Sequence, residues 1–135
     1  MFFPYKDDNP RVLYPYVTFG IIYFSLFIFL CQIFLNSTDA SLASKLVYIF
    51  GFTPERFNII SIFTSMFLHG GFGHIVGNMW FLYIFGDNVE SILGHVKYFI
   101  FYLSSGLFAA LGQYATNPNS ELPMIGASGA IAGIL

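Results

Sequence analysis

From Tyr16 to Leu35 the chain reads "YVTFGIIYFSLFIFLCQIFL", an apolar run without a single charge. At about 1.5 Å of rise per residue, about 20 such residues cross a hydrocarbon core of about 30 Å, so the run predicts a transmembrane helix. A cleaved leader would show a basic start, a shorter apolar run and a small-residue cleavage site; this run is too long, and "NSTDAS" makes a poor site. Asn36 to Ser44 is polar and turn-like. The apolar pieces that follow, in "KLVYIFGF" and "FNIISIFTSMFLHGGFG", are interrupted by Thr53, Pro54, Glu55 and Arg56. Each is too short to span, and together they predict an interfacial or re-entrant excursion over about 42–73 that packs on the protein. A second spanning helix is predicted over about 74–90, closed by Asp87 and Glu90, and a third over about 97–116. After the turn "NPNSELP" a fourth opens near Ile125 and runs to 135. Residues 1–15, with three prolines, Lys6, Asp7, Asp8 and Arg11, read as an irregular lead-in to one membrane domain over 16–135.

Composition turns these separate helices into a fold class. Hydrophobic residues make up 56% of the chain and charged residues 9%, where a soluble domain carries about 25% charge to meet water on every face. The expectation is an all-α, polytopic helical bundle whose outer surface meets the lipid bilayer. The net charge is −2 and no Lys or Arg cluster forms a nucleic-acid patch. Lys6, Arg11 and Lys97 fall on one side of this topology, Lys45 and Arg56 on the other. By the positive-inside rule that places the N-terminus in the cytoplasm by one charge. Gly73 and Gly77, and again Gly129 and Gly133, have the G-x-x-x-G spacing that lets membrane helices approach closely. The single Cys31 excludes a disulfide framework and a cysteine-based metal site.

Polar groups inside a membrane are expensive, which singles out His74 and Asn78 at the start of the second helix and Ser128 near the start of the fourth. His74 and Asn78 are one turn apart on one face. One helix separates the two sites in the chain, so both helices enter from the same side, and the three side chains belong at similar depth. If the helices touch through their glycines, the three converge. Such a set could support acyl transfer: a serine nucleophile activated by a base, an oxyanion stabilised by His74, Asn78 and free N–H groups at the helix start, and Gly126 and Gly129 keeping the approach open. Each piece has a plainer reading as well. The glycines around Ser128 serve packing, and His74 with Asn78 could make an interhelical hydrogen bond or line a polar path in a channel, although no internal repeat supports a transporter. "GASGA" departs from G-x-S-x-G at Ala130. His69, His74 and His95 lack a zinc-binding arrangement, so no metal is expected. His95 reads as a solvated loop residue, and Asp87 and Glu90 as markers of the membrane boundary.

Taken together, "TSMFLHGGFGHIVGNMWFLYIFGDNVE", "FYLSSGLFAALG" and "PMIGASGAIAGIL" resemble the rhomboid family of intramembrane serine proteases. The match runs from about Thr53 to Leu135, with looser agreement in the first helix. The resemblance implies that Ser128 is the nucleophile, that His74 and Asn78 form the oxyanion hole with the Ser128 N–H, and that Gly126 lies beside the hole. It implies structural roles for His69 and Glu90, tying down the loop between the first and second helices. It also implies a Ser–His dyad, no cofactor, and substrates that are membrane proteins with a transmembrane helix, cut in or near a stretch rich in small or helix-breaking residues. In a bacterium the location would be the plasma membrane.

Two departures from the family pattern stand out. Ile92 in "ESILG" occupies the region where an Arg often follows the Glu of the second helix. The family's general-base histidine belongs to the sixth helix, and none of His69, His74 and His95 matches it. The expectation is therefore a rhomboid-like bundle truncated after about three and a half transmembrane helices, inactive by itself. The alternative is a rhomboid-like pseudoprotease that binds membrane clients without cutting them.

Overall fold

The computed structural model describes residues 13–135; the lead-in up to Val12, including Lys6 and Arg11 of the charge count, lies outside the described residues. The regular elements among the described residues are all helical: α1 (Tyr16–Thr38), α2 (Ala40–Phe50), a 3-10 turn (Pro54–Arg56), α3 (Ile59–Ser65), α4 (Phe72–Leu93), α5 (His95–Thr116) and α6 (Ser128–Ala132). Local chemistry sets several boundaries. The Asp39 carboxylate accepts the N–H of Leu42 and starts α2, and the Asn58 side chain accepts the N–H of Ile60 and starts α3. Gly94, at φ +76°, turns α4 directly into α5 through backbone that favours glycine. The excursion expected over 42–73 is thus two short helices and a 3-10 turn, and the fourth expected helix forms only over Ser128–Ala132.

Helix α1 buries Thr18, Ile21, Ile22, Ser25 and Phe29, spaced three or four apart along one face. Its other side exposes Tyr23, Phe27, Leu30 and Phe34. Apolar side chains exposed in such numbers fit contact with lipid rather than water. Among the described residues α1 alone is both long and apolar enough to cross a membrane. Helices α4 and α5 have 22 residues each, but their polar side chains lower their mean hydropathy. The core is built around α4 and α5, with α1 and α6 packed on them: Ile21, Ile22, Ile75, Met79 and Leu82 cluster with Tyr98, Tyr102, Ala127, Ala130 and Ile131.

The glycines divide in a way their spacing did not foretell. A Cβ on Gly129 would stand 2.7 Å from the Ala109 Cβ, and one on Gly133 would run into the Ser105 side chain. The second G-x-x-x-G pair therefore seats α6 against α5. Gly73 and Gly77 have nothing within 4 Å of a Cβ position, so α4 and α6 do not meet through paired glycines. The close approach on α4 is instead at Gly86, where a Cβ would stand 2.8 Å from the Tyr98 hydroxyl and 3.0 Å from Thr18 Oγ1.

Glu90 corrects a second expectation. Its carboxylate is fully buried and accepts the N–H of Val17 (2.9 Å), the N–H of Thr18 (2.8 Å) and the Thr18 hydroxyl (2.7 Å). It therefore holds the N-terminal start of α1, at the opposite end of the helix from the loop it was expected to tie down. Free N–H groups at a helix start need acceptors, and here a side chain distant in sequence supplies one. His95, expected in a solvated loop, is the first residue of α5, and its Nδ1 lies 2.6 Å from Glu90 Oε1. One carboxylate thus joins the starts of α1 and α5.

Candidate active site

The site forms where the segment before α6 crosses the start of α4. That segment is held from behind by the α2–α3 region. Phe52 and Met124 exchange both main-chain hydrogen bonds, at 3.1 and 2.7 Å, and the Gly126 N–H donates to the Ser65 carbonyl at 2.9 Å. Gly51 makes room for this layer, since a Cβ there would lie 3.1 Å from both Pro123 and Ile125. The chain then turns through Gly126 at φ +115°, a conformation that side chains with a Cβ resist, and Ser128 begins α6 as an exposed residue.

His74 and Asn78 face this turn from α4. A Cβ on Gly126 would stand 2.6 Å from both Cε1 and Nε2 of His74, and 3.5 Å from Nδ2 of Asn78. The ring edge and the amide therefore converge on the backbone two residues before the serine. Asn78 is buried, and its Nδ2 has no hydrogen-bond partner among the described residues. A buried amide donor without a partner is uncommon and costs free energy. Here it points toward the backbone that delivers Ser128, where an oxygen could satisfy it.

His69 lies in the loop between α3 and α4, just ahead of Gly70 and Gly71. Its ring meets the His74 ring edge to face, with centroids 5.3 Å apart. Burial, and then the neighbouring His74, push its pKa down to about 4, so near neutral pH the ring carries no charge. Its main chain is gripped from α1: the Gln32 Nε2 donates to the His69 carbonyl at 3.2 Å, and the His69 N–H donates to Gln32 Oε1 at 3.1 Å.

Of the residues singled out by sequence, His74 and Asn78 meet at Gly126, two residues before Ser128, and the His69 ring packs against His74. Gly129 faces α5 and Glu90 sits in the separate junction with α1. Sequence reasoning passed over Gln32 and the Ser65 carbonyl. The signal for Gln32 was present, since an amide within the apolar run of α1 is costly unless it has partners. A main-chain carbonyl leaves no trace in sequence.

The Rhomboid domain family model matches residues 56–135. The chain is 31% identical over 116 residues to Rhomboid-like protein 11, chloroplastic, of Arabidopsis thaliana, covering 86% of this chain and 39% of that protein. It is 26% identical over 137 residues to Rhomboid protease GluP of Bacillus subtilis, covering 97% of this chain and 24% of the relative. It is 35% identical over 80 residues to Rhomboid protein 1, mitochondrial, of Saccharomyces cerevisiae, covering 56% and 23% respectively. The chain thus spans about two fifths or less of the length of these relatives. No solved structure matches it.

Proposed function

This chain belongs to the rhomboid family, and from that membership we propose that it carries the nucleophile half of an intramembrane serine endopeptidase. In this reading Ser128 Oγ attacks a peptide carbonyl of a transmembrane substrate while a base takes its proton. The carbonyl oxygen becomes an oxyanion held by the His74 ring N–H, the Asn78 amide and the Ser128 N–H. Collapse of that intermediate expels the amine, which takes up the proton, and water then hydrolyses the acyl-enzyme.

The observation that carries the reading is the convergence of His74 and Asn78 on Gly126, with the Asn78 donor buried and unpartnered. A pair of donors at that point suits negative charge developing there. The family resemblance supplies the rest: a Ser–His dyad, whose histidine matches none of His69, His74 and His95. It also supplies substrates with helix-breaking or small residues in a membrane span, a multi-pass topology in which α4 and α5 cross with α1, and, in a bacterium, the plasma membrane. Lys97, at the α5 start near Glu90 and His95, would then face the cytoplasm together with the N-terminus.

The test is covalent modification of the protein in its source membrane by a serine-directed phosphonate, with Ser128→Ala as control. Labelling that depends on Ser128 supports the protease reading. Absence of labelling favours a pseudoprotease that holds membrane clients without cutting them, because binding alone does not require an activated serine.

A further inference from the structure

An amide in the apolar run of α1 spends both of its hydrogen-bonding ends on one residue of a distant loop. Gln32 donates to the carbonyl of His69 and accepts from its N–H, gripping that residue on both sides of its Cα. Two such contacts fix the direction in which the His69 side chain leaves the backbone. Neither ring nitrogen of His69 makes a well-formed hydrogen bond among the described residues; besides His74, the polar group acting on the ring is the Phe67 backbone. The ring is buried, at 2% exposure, and its one aromatic neighbour among the described residues is His74, edge to face at 5.3 Å. Between the two histidines stand Gly70, Gly71, Phe72 and Gly73. Gly71 has nothing within 4 Å of a Cβ position, whereas a Cβ on Gly70 would meet Ile125 Cδ1 at 3.6 Å and His74 Nδ1 at 3.9 Å, so the packing of this stretch is on the Gly70 side, next to the His69 main chain. The last hydrogen-bonded anchor ahead of the turn into α4 is the Gln32 grip.

We infer that Gln32 is a positioning residue: by clamping the main chain of His69 it sets the His69 ring against His74, and so holds the His74 ring over Gly126 beside Ser128. This rests on the proposed acyl-transfer role of Ser128 and adds to it a residue on α1, away from the turn at Gly126. The chain of contacts runs from α1 through the loop to α4 and ends at the turn before α6. A shift of about 1 Å in a group that stabilises a transition state can slow reaction as much as about 100-fold. A partial loosening of one donor predicts a smaller loss, about tenfold.

The experiment uses the protein in its source membrane and follows phosphonate labelling of Ser128 against probe concentration. Gln32→Met keeps the side-chain volume and removes both bonds; its maximal labelling rate should fall about tenfold, with the half-saturating concentration unchanged. Thr18→Val serves as the control, because it loosens the α1–α4 junction without touching the loop; it should lower the melting temperature and leave the labelling rate at the wild-type level. Gln32→Asn, which keeps the amide but shortens its reach, carries the same test if Gln32→Met does not fold. Wild-type rates in the Gln32 variants, or an equal loss in Thr18→Val, would overturn the inference while leaving the Ser128 reading intact. A wild-type protein that does not label at all would sink both together.

Discussion

A Cβ on Gly126 would stand 2.6 Å from Nε2 of His74, closer than a Cβ carbon approaches a neighbouring heavy atom. The turn that presents Ser128 and the ring proposed to stabilise its reaction therefore share one space, available only because residue 126 has no side chain. Gly126→Ala should displace His74 and strain a backbone held at φ +115°. The expected result is a fall of about 100-fold in phosphonate labelling of Ser128, the loss of roughly one oxyanion donor. Labelling at the wild-type rate would show that His74 does not need its present position.

The Glu90 junction should govern stability more than chemistry. Glu90→Ala leaves the N–H groups of Val17 and Thr18 and the Thr18 hydroxyl without their acceptor in a buried place, a loss of about 3 kcal/mol. Glu90→Gln keeps an acceptor oxygen and should cost about half as much. Thermal unfolding in detergent measures both, and an unchanged midpoint in Glu90→Ala would contradict the junction.

The two glycine pairs should respond oppositely to the same substitution. Gly133→Ala forces a methyl group into Ser105, and Gly129→Ala brings one within 2.7 Å of Ala109; each should destabilise the α5–α6 contact by about 1–3 kcal/mol. Gly77→Ala meets open space and should be neutral or stabilising by up to about 1 kcal/mol through helix propensity. Comparing melting temperatures of the three variants is sufficient.

His69 gives a pH dependence whose sign can be worked out. In the unfolded chain its imidazole has the ordinary value of 6.5, whereas in the fold burial holds it to about 4. Between these values the unfolded chain binds the extra proton and the folded chain does not, so stability rises with pH through that window. The contribution is complete above about pH 6.5, falls as the pH drops toward 4, and levels off below that. His69→Gln should flatten this part of the stability profile relative to wild type. Parallel profiles for the two proteins would show that His69 is not the group responsible.

The helices were legible because their signals are local. The uncharged run of α1, the proline and glycine breaks, and the turn after Thr116 each fix a boundary through a few neighbouring residues. The site was legible in part for the same reason: His74, Asn78 and Ser128 are polar groups in an apolar setting, and their spacing places His74 and Asn78 in the first turns of α4 and Ser128 at the start of α6. The partners of Glu90 and Gln32 were not legible. Glu90 bonds across 72 and 73 residues of sequence, and Gln32 across 37, so no short window contains both ends of either contact.

The glycines mark the division between the two kinds of information. Sequence by itself determined an all-helical, lipid-facing chain with a rhomboid-type serine motif, because hydropathy, length and residue identity act along the chain. Only the tertiary structure decided that Gly129 and Gly133 are filled by α5 while Gly73 and Gly77 remain open, and that Glu90 closes the start of α1. Identical spacing along a helix says that a neighbour could approach. Which neighbour does so depends on how the helices are rotated and stacked, and that is set by packing among residues distant in sequence.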